Sequence, residues 1–324
     1  MPTLDSNVVL IAGGVGGARM AEGLAHALPD GALTVIANVG DDDDFYGLRV
    51  CPDIDTLVYT LSNRIDRKQG WGVADDTVRA LDVLGTLAAP TWMKLGDADF
   101  GLHIWRSWQL AAGNSLTRVT QEAAKRLGAR ARILPASDDP VRTKLRTTDG
   151  WMDFQPWFVG RRCEPQVLEL RYDGVEQAKA GAEALAAIEA AELIVFAPSN
   201  PLLSIEPILA IDGFRSAIAA SRGLRVGVSP LIGGKAIKGP LTRLMAGLDL
   251  RTSSCGIAIR YNGLLDGFVI DMQDLPESDE LQGRGLSVLP TDILMRDPQD
   301  AERLAAEILA WTAALREHRE RAAS

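Results

Sequence analysis

Residues 13–17 read Gly-Gly-Val-Gly-Gly, set between the apolar run Val8–Ala12 and the segment Ala18-Arg19-Met20-Ala21. Missing side chains let backbone N–H groups approach a phosphate at a helix N-terminus, so the cluster points to a nucleotide or a related phosphate ester. A plain strand-to-helix turn would account for one glycine, not for four in five residues. A dinucleotide fingerprint aligned on Gly14 and Gly16 puts Arg19 where its third glycine belongs. No Lys-Ser or Lys-Thr pair follows to complete a P-loop.

Carboxylates supply the second chemistry. The apolar run 32–37 leads into Asn38-Val39-Gly40 and then Asp41, Asp42, Asp43 and Asp44, and Asp53 and Asp55 come soon after. A run of aspartates alone reads as a solvated turn. Placed at the end of a strand and shortly before two more carboxylates, it can converge on one divalent cation bridging a diphosphate, and hard oxygen ligands point to magnesium. Three further polar turns follow apolar runs. These are Ala136-Ser137-Asp138-Asp139-Pro140, Pro198-Ser199-Asn200-Pro201, and Gly233-Gly234-Lys235 after Ser229-Pro230. Each is either a local turn or a preorganised ligand contact. Trp92, His103, Trp105 and Trp108 offer stacking surfaces for a planar ring, although aromatics at helical spacing are more often core. With no serine triad, HExxH, CxxC or kinase signature, the available chemistry is metal, carboxylates and phosphate-binding backbone. That set fits phosphoryl or nucleotidyl-type transfer, which depends on positioning and charge neutralisation.

The elements that must position these groups alternate. Strands are expected at Val8–Ala12, 32–37, 131–135, 144–147, 193–197, 225–228, 255–259 and 267–270. Helices are expected after the glycine cluster, from Pro52, over much of 75–126, over 175–190 and over 298–316. Alternation of this kind implies an α/β fold, a Rossmann-like, doubly wound, mainly parallel sheet with an added helical subdomain. No linker or low-complexity tract divides the 324 residues, so a single domain over 1–324 with a helical insertion at approximately 75–130 is expected.

Composition narrows the class. With 47% hydrophobic and 24% charged residues the chain can pack a large core without metal or disulfide staples. A net charge of -9 argues against a broad polyanion-binding surface, hence against nucleic acid as partner. Cys51, Cys163 and Cys255 are far apart and read as reduced thiols of a cytoplasmic protein. The N-terminal residues lack a signal-peptide pattern, and the first apolar run is too short to span a bilayer, so no membrane association is expected.

Taken in order, 11–19, Asn38-Val39-Gly40-Asp41-Asp42, Cys51-Pro52-Asp53-Ile54-Asp55-Thr56, Leu134-Pro135-Ala136-Ser137-Asp138, Ala197-Pro198-Ser199-Asn200-Pro201, 229–235 and Gly263-Leu264-Leu265-Asp266-Gly267 resemble the CofD/FbiA family. The match runs across most of the chain. The resemblance implies a Rossmann-like core, often homodimeric, and a magnesium-dependent transferase of coenzyme F-420 biosynthesis. Such an enzyme would move a phosphorylated three-carbon acid (2-phospholactate, phosphoenolpyruvate or 3-phosphoglycerate) from a GDP-linked donor to the ribitol hydroxyl of the deazaflavin Fo, releasing GMP.

On this resemblance Gly13, Gly14, Gly16, Gly17 and Ala18 approach the donor phosphates, and Pro198, Ser199, Asn200, Gly233, Gly234 and Lys235 hold the nucleotide. Asp41 and Asp55 become the catalytic carboxylates. Metal ligands come from Asp41, Asp55 and Asp42, with Asp53 as a substitute at the substrate. Ser137 and Asp138 become contacts to the deazaflavin or the transferred group. Four aspartates where the family pattern leads one to expect two require bound metal, or Asp43 and Asp44 turned outward. Two other readings remain: an NAD(P)-dependent oxidoreductase with Asp41 near the ribose, against which Arg19 counts, and a non-catalytic nucleotide-sugar sensor of related fold.

Overall fold

The computed structural model describes residues 7–323, so the expectation about the first six residues lies outside the described residues. Seven strands form the central sheet: Val8–Ala12 (β1), Leu33–Ala37 (β2), Arg132–Pro135 (β3), Leu193–Phe196 (β4), Leu224–Val228 (β5), Gly267–Asp271 (β6) and Ser287–Thr291 (β7). Their spatial order is β7-β6-β5-β4-β1-β2-β3, and every neighbouring pair is parallel. This is the 3-2-1-4-5-6 order of dinucleotide-binding folds with one strand added at an edge. β1, β4 and β6 are buried at every position, which explains why they read as unbroken apolar runs rather than alternating ones.

Register sets the site. Ile11 lies level with Ile36 on one side and Phe196 on the other, so the chain leaves β1, β2 and β4 at the same height, at Gly13, Asn38 and Ala197. The order of connection reverses between β1 and β4, and a crevice outside those carboxyl ends is where such sheets bind ligands.

Five helices matter to the site: Gly14–Ala27 (α1), Pro52–Leu61 (α2), Arg79–Thr86 (α3), Asp97–Ala111 (α4) and Leu116–Leu127 (α5). α2 opens as its sequence implies, with Pro52 in the first turn and Asp53 and Asp55 at the positive end of its dipole. α3, α4 and α5 occupy the helix-rich stretch. Val50, Leu81, Leu95 and Phe100 form a small apolar cluster there, apart from the main core.

Four expectations change. Residues 255–259 belong to a helix, Ser254–Arg260, because Ser253 accepts the Gly256 N–H as an N-cap; a short apolar run does not by itself separate strand from helix. The helix expected over 175–190 is confined to Ala182–Ala190, and the last helix extends over Pro298–Ala323. The strand expected at 144–147 belongs to a three-stranded antiparallel sheet of Arg142–Thr147, Gly150–Asp153 and Val167–Asp173. Among the described residues no helix is long and apolar enough to cross a membrane.

Candidate active site

A cavity of about 740 Å³ opens over the carboxyl ends of the strands. Its walls include Gly13, Gly14 and Gly16 after β1, Asp41 after β2, Pro198, Ser199 and Asn200 after β4, and Ser229 after β5. The volume is that of a small-molecule site.

The glycine loop is shaped first by the protein itself. A Cβ on Gly13 would stand 2.4 Å from Asp53 Oδ2 and 2.8 Å from Ser204 Cβ; one on Gly16 would stand 2.4 Å from the Pro198 carbonyl oxygen. On Gly17 it would meet Ser199 Oγ at 2.9 Å. These three glycines let the β1 loop press against the β4 loop. Gly14, with φ +64°, is the one without a close approach, a Cβ there standing 3.7 Å from Ser204 Oγ. Gly17 and Ala18 are buried in α1 and do not line the cavity.

Asp53 ties the strand ends together. Its Oδ1 accepts the Gly14 N–H at 2.7 Å, and its Oδ2 accepts Asn38 Nδ2 at 2.9 Å. Asn38 also donates to the Leu203 carbonyl and accepts the Gly40 N–H. Burial pushes the Asp53 carboxyl up to about 6, against the opposing effect of the Asn38 and Gly14 hydrogen bonds.

Asp41 faces the cavity with one oxygen, Oδ1, buried and without a hydrogen-bond partner, and Asp42 Oδ1 is in the same condition. Burial, then the charges of Asp53 and Asp42, hold Asp41 well above the usual carboxylate range. Asp42 lies behind the cavity wall and is pushed up to about 7 by burial, with Arg142 pulling the other way. Orphaned, crowded carboxylates are costly unless a cation or proton joins them. Among the described residues no group of three or more His, Cys, Asp or Glu is gathered as a metal cage. Magnesium does not need one, since it is held by one or two carboxylates together with substrate phosphates; Asp41 at the cavity wall fits as such a carboxylate, whereas Asp42, expected as a ligand, stands outside the cavity. Asp44 turns outward to Arg49 at 2.8 Å, and Asp43 is half-buried in a short hairpin strand.

Asp55 also lines the cavity, but both its oxygens accept from the buried guanidinium of Arg106, on α4. Burial opposes the charge on Arg106, but Asp55 together with Cys51 and Asp42 outweighs it and holds the guanidinium above its ordinary value. Sequence reasoning missed this pair, which bridges 51 positions. The available signal was Asp99, His103 and Arg106 at helical spacing, which puts three polar groups on one face of α4.

Several expected contacts stand elsewhere. Ser137 Oγ donates to the Lys179 carbonyl and Asp138 caps α5 through the Thr117 N–H, both beyond the end of β3. Gly233 and Gly234 direct their amides at Asp274, and Lys235 is exposed outside the cavity. Trp92 and His103 line the cavity, whereas Trp105 and Trp108 do not. Trp71, Phe154 and Phe158 complete an aromatic wall with Trp92, and Arg19, Lys94, Arg162 and Lys238 supply the cations.

The sequence model of the CofD family, described as 2-phospho-L-lactate transferase CofD, matches residues 8–298. A Streptomyces griseus protein named phosphoenolpyruvate transferase is 39% identical over 93% of this chain and 97% of its own length. A Methanosarcina acetivorans protein named 2-phospho-L-lactate transferase is 37% identical over 92% and 96%, respectively. A crystal structure of a Bacillus halodurans protein, 18% identical, superposes with a TM-score of 0.61 over 94% of this chain and 99% of that one, a likeness of fold alone. The alternating sheet, the loops at its switch point and a match over most of the chain lead to one conclusion: the chain belongs to the CofD family.

Proposed function

We propose that the chain is a transferase of coenzyme F-420 biosynthesis. It moves a phosphorylated three-carbon acid from a GDP-linked donor to the terminal ribitol hydroxyl of Fo and releases GMP. Phosphoenolpyruvate and 2-phospholactate are the acids named in the relatives, and 3-phosphoglycerate is the third candidate. The observation that carries the reading is a single cavity lined both by the glycine loop with Asp41 and by the aromatic side chains Trp71, Trp92 and Phe158, which suit a planar ring. The acceptor hydroxyl oxygen bonds to the phosphorus bearing the acid, the bond from that phosphorus to the GMP oxygen breaks, and the hydroxyl proton is lost to water.

Magnesium, when bound, offsets the negative charge of the diphosphate. Asp41, backed by Asp42, would hold it. The β1 and β4 loops orient the donor, and Arg19, Lys94 and Lys238 draw its phosphates in. Asp55, engaged by Arg106, shapes the wall rather than offering a free oxygen. A cytoplasmic homodimer completes the reading. Incubation with Fo, magnesium and each of the three donors, read by mass spectrometry, tests it. One deazaflavin phosphodiester should form, and Asp41→Asn should lower its rate by about 100-fold or more. Folded wild-type protein that binds the guanosine donor yet yields no product would favour the sensor reading.

A further inference from the structure

Three segments distant in sequence meet at the cavity wall. The first is Val15, the one residue of the Gly13–Gly17 loop that carries a side chain. The second is the turn between Ile65 and Val73, which face each other as an antiparallel bridge. Asp66 closes this turn: its carbonyl accepts the Gly70 N–H at 2.7 Å, and its carboxylate accepts the N–H groups of Lys68 and Gln69. Arg67 ties the turn to α1 through Glu22, at 2.7 Å. The third is Lys238, which follows the short hairpin strand Lys235–Ala236. Gly70 is where they come together. A Cβ there, at φ +83°, would stand 2.9 Å from Val15 Cγ1 and 3.9 Å from Lys238 Nζ, and Gly70 is buried although Gln69 and Trp71 on either side of it are exposed.

Val15, Gln69, Trp71 and Lys238 all line the cavity. Because Gly70 precedes Trp71 in the chain, its contacts join the loop that receives the donor phosphates to a side chain suited to the acceptor ring. A phosphorus changing partners lies between the oxygen that attacks and the oxygen that leaves. Lys238 is exposed, and among the described residues no carboxylate pairs with it. An ammonium on a flexible stem is a mobile point charge for phosphoryl oxygens. We infer that Lys238 is a further catalytic residue, whose ammonium contacts the non-bridging oxygens of the phosphorus being transferred. As the acceptor oxygen bonds to that phosphorus and the bond to the GMP oxygen breaks, the lysine offsets the negative charge on those oxygens and gives up no proton. This role rests on the transferase reading; contact between Lys238 and a phosphate on the glycine loop does not.

Two measurements on the full chain keep these apart. In brief acetylation with an N-hydroxysuccinimide ester, read lysine by lysine by mass spectrometry, saturating GDP with magnesium should slow modification of Lys238 at least about five-fold and leave Lys235, outside the cavity, unaffected. Equal modification of Lys238 with and without GDP, in protein that calorimetry shows to bind it, overturns the inference whatever the enzyme does. Protein that does not bind GDP overturns the inference and the transferase reading together. In the transfer assay Lys238→Ala should lower kcat about 100-fold in addition to its effect on the donor KM. Lys238→Arg, which keeps the charge, should stay within about ten-fold of the wild type. Ethylammonium should speed Lys238→Ala about ten-fold and leave Asp41→Asn as slow as before, a rescue that a merely structural lysine would not show. A kcat that Lys238→Ala leaves within about two-fold of the wild type, or a loss that neither the arginine nor the amine relieves, overturns the inference alone. Wild-type protein in which GDP protects Lys238 yet no product forms overturns the transferase reading and the catalytic role with it.

Discussion

Gly14 in one glycine loop and Gly233-Gly234 in another aim backbone amides at an aspartate distant in sequence. In the first loop Gly14 donates to Asp53 at 2.7 Å; in the second Gly233 and Gly234 donate to Asp274 at 3.2 and 3.1 Å. Both carboxyls are raised by burial, Asp53 to about 6 and Asp274 with a further contribution from Glu277. Only the first loop faces the cavity. It leaves the sheet at the switch point, level with the ends of β2 and β4, whereas the second follows the short hairpin strand Leu231–Ile232 after β5. Glycine-rich sequence therefore marks a cradle for a carboxylate or phosphate, and position on the sheet decides whether a ligand can reach it.

The sharpest way to break this comparison is Gly16→Ala. The new methyl meets a backbone oxygen that cannot swing aside, so a loss of about 2 kcal/mol in urea unfolding is expected, overpacking outweighing the roughly 1 kcal/mol alanine gains in a helix. Unchanged stability would mean that the glycine serves ligand alone. Asp53→Asn follows, at about 1–2 kcal/mol for the mismatched amide facing Asn38. Because the folded pKa of Asp53 is raised, its contribution is full below the unfolded carboxylate value of about 4 and is lost as pH rises through about 6. The gap between wild type and variant should accordingly narrow from pH 4 to pH 7, and a gap that widens would refute the assignment.

Asp274→Asn, on the loop outside the cavity, should cost about 1 kcal/mol or less and leave the transfer rate within about two-fold. Smallest of all, Lys235→Ala should move the unfolding free energy by no more than about 0.5 kcal/mol and leave the donor KM unchanged. Lys238→Ala, three positions on and at the cavity wall, should raise that KM. Equal KM effects from the two lysines would erase the distinction between the loops.

The sequence was most informative where chemistry is local. An unbroken apolar run followed by glycines is a buried parallel strand entering a helix, and β1 and α1 form as that pattern demands. Asp41, Asp53 and Asp55 stand at the cavity because they closely follow a strand end or open a helix. Pairings across the fold were hidden. Nothing near Asp55 announces Arg106, and nothing near Trp71 announces that Phe158 lines the same cavity, because both relations arise only after α4 and the antiparallel strands dock. Ser137 and Asp138 misled for a related reason. Polar side chains after a strand also satisfy backbone groups, and here they serve the Lys179 carbonyl and the start of α5.

The aromatic wall is borne wholly outside the central sheet. Trp71 lies between α2 and α3, Trp92 between α3 and α4, and Phe154 and Phe158 lie just past the strand Gly150–Asp153. The glycine loop, Asp41 and the β4 turn are, by contrast, continuations of sheet strands. For protein engineering the aromatic positions can therefore be varied without altering a strand end. Libraries restricted to Trp71, Trp92, Phe154 and Phe158 would explore new planar acceptors while leaving the glycine loop, Asp41 and the cations unchanged.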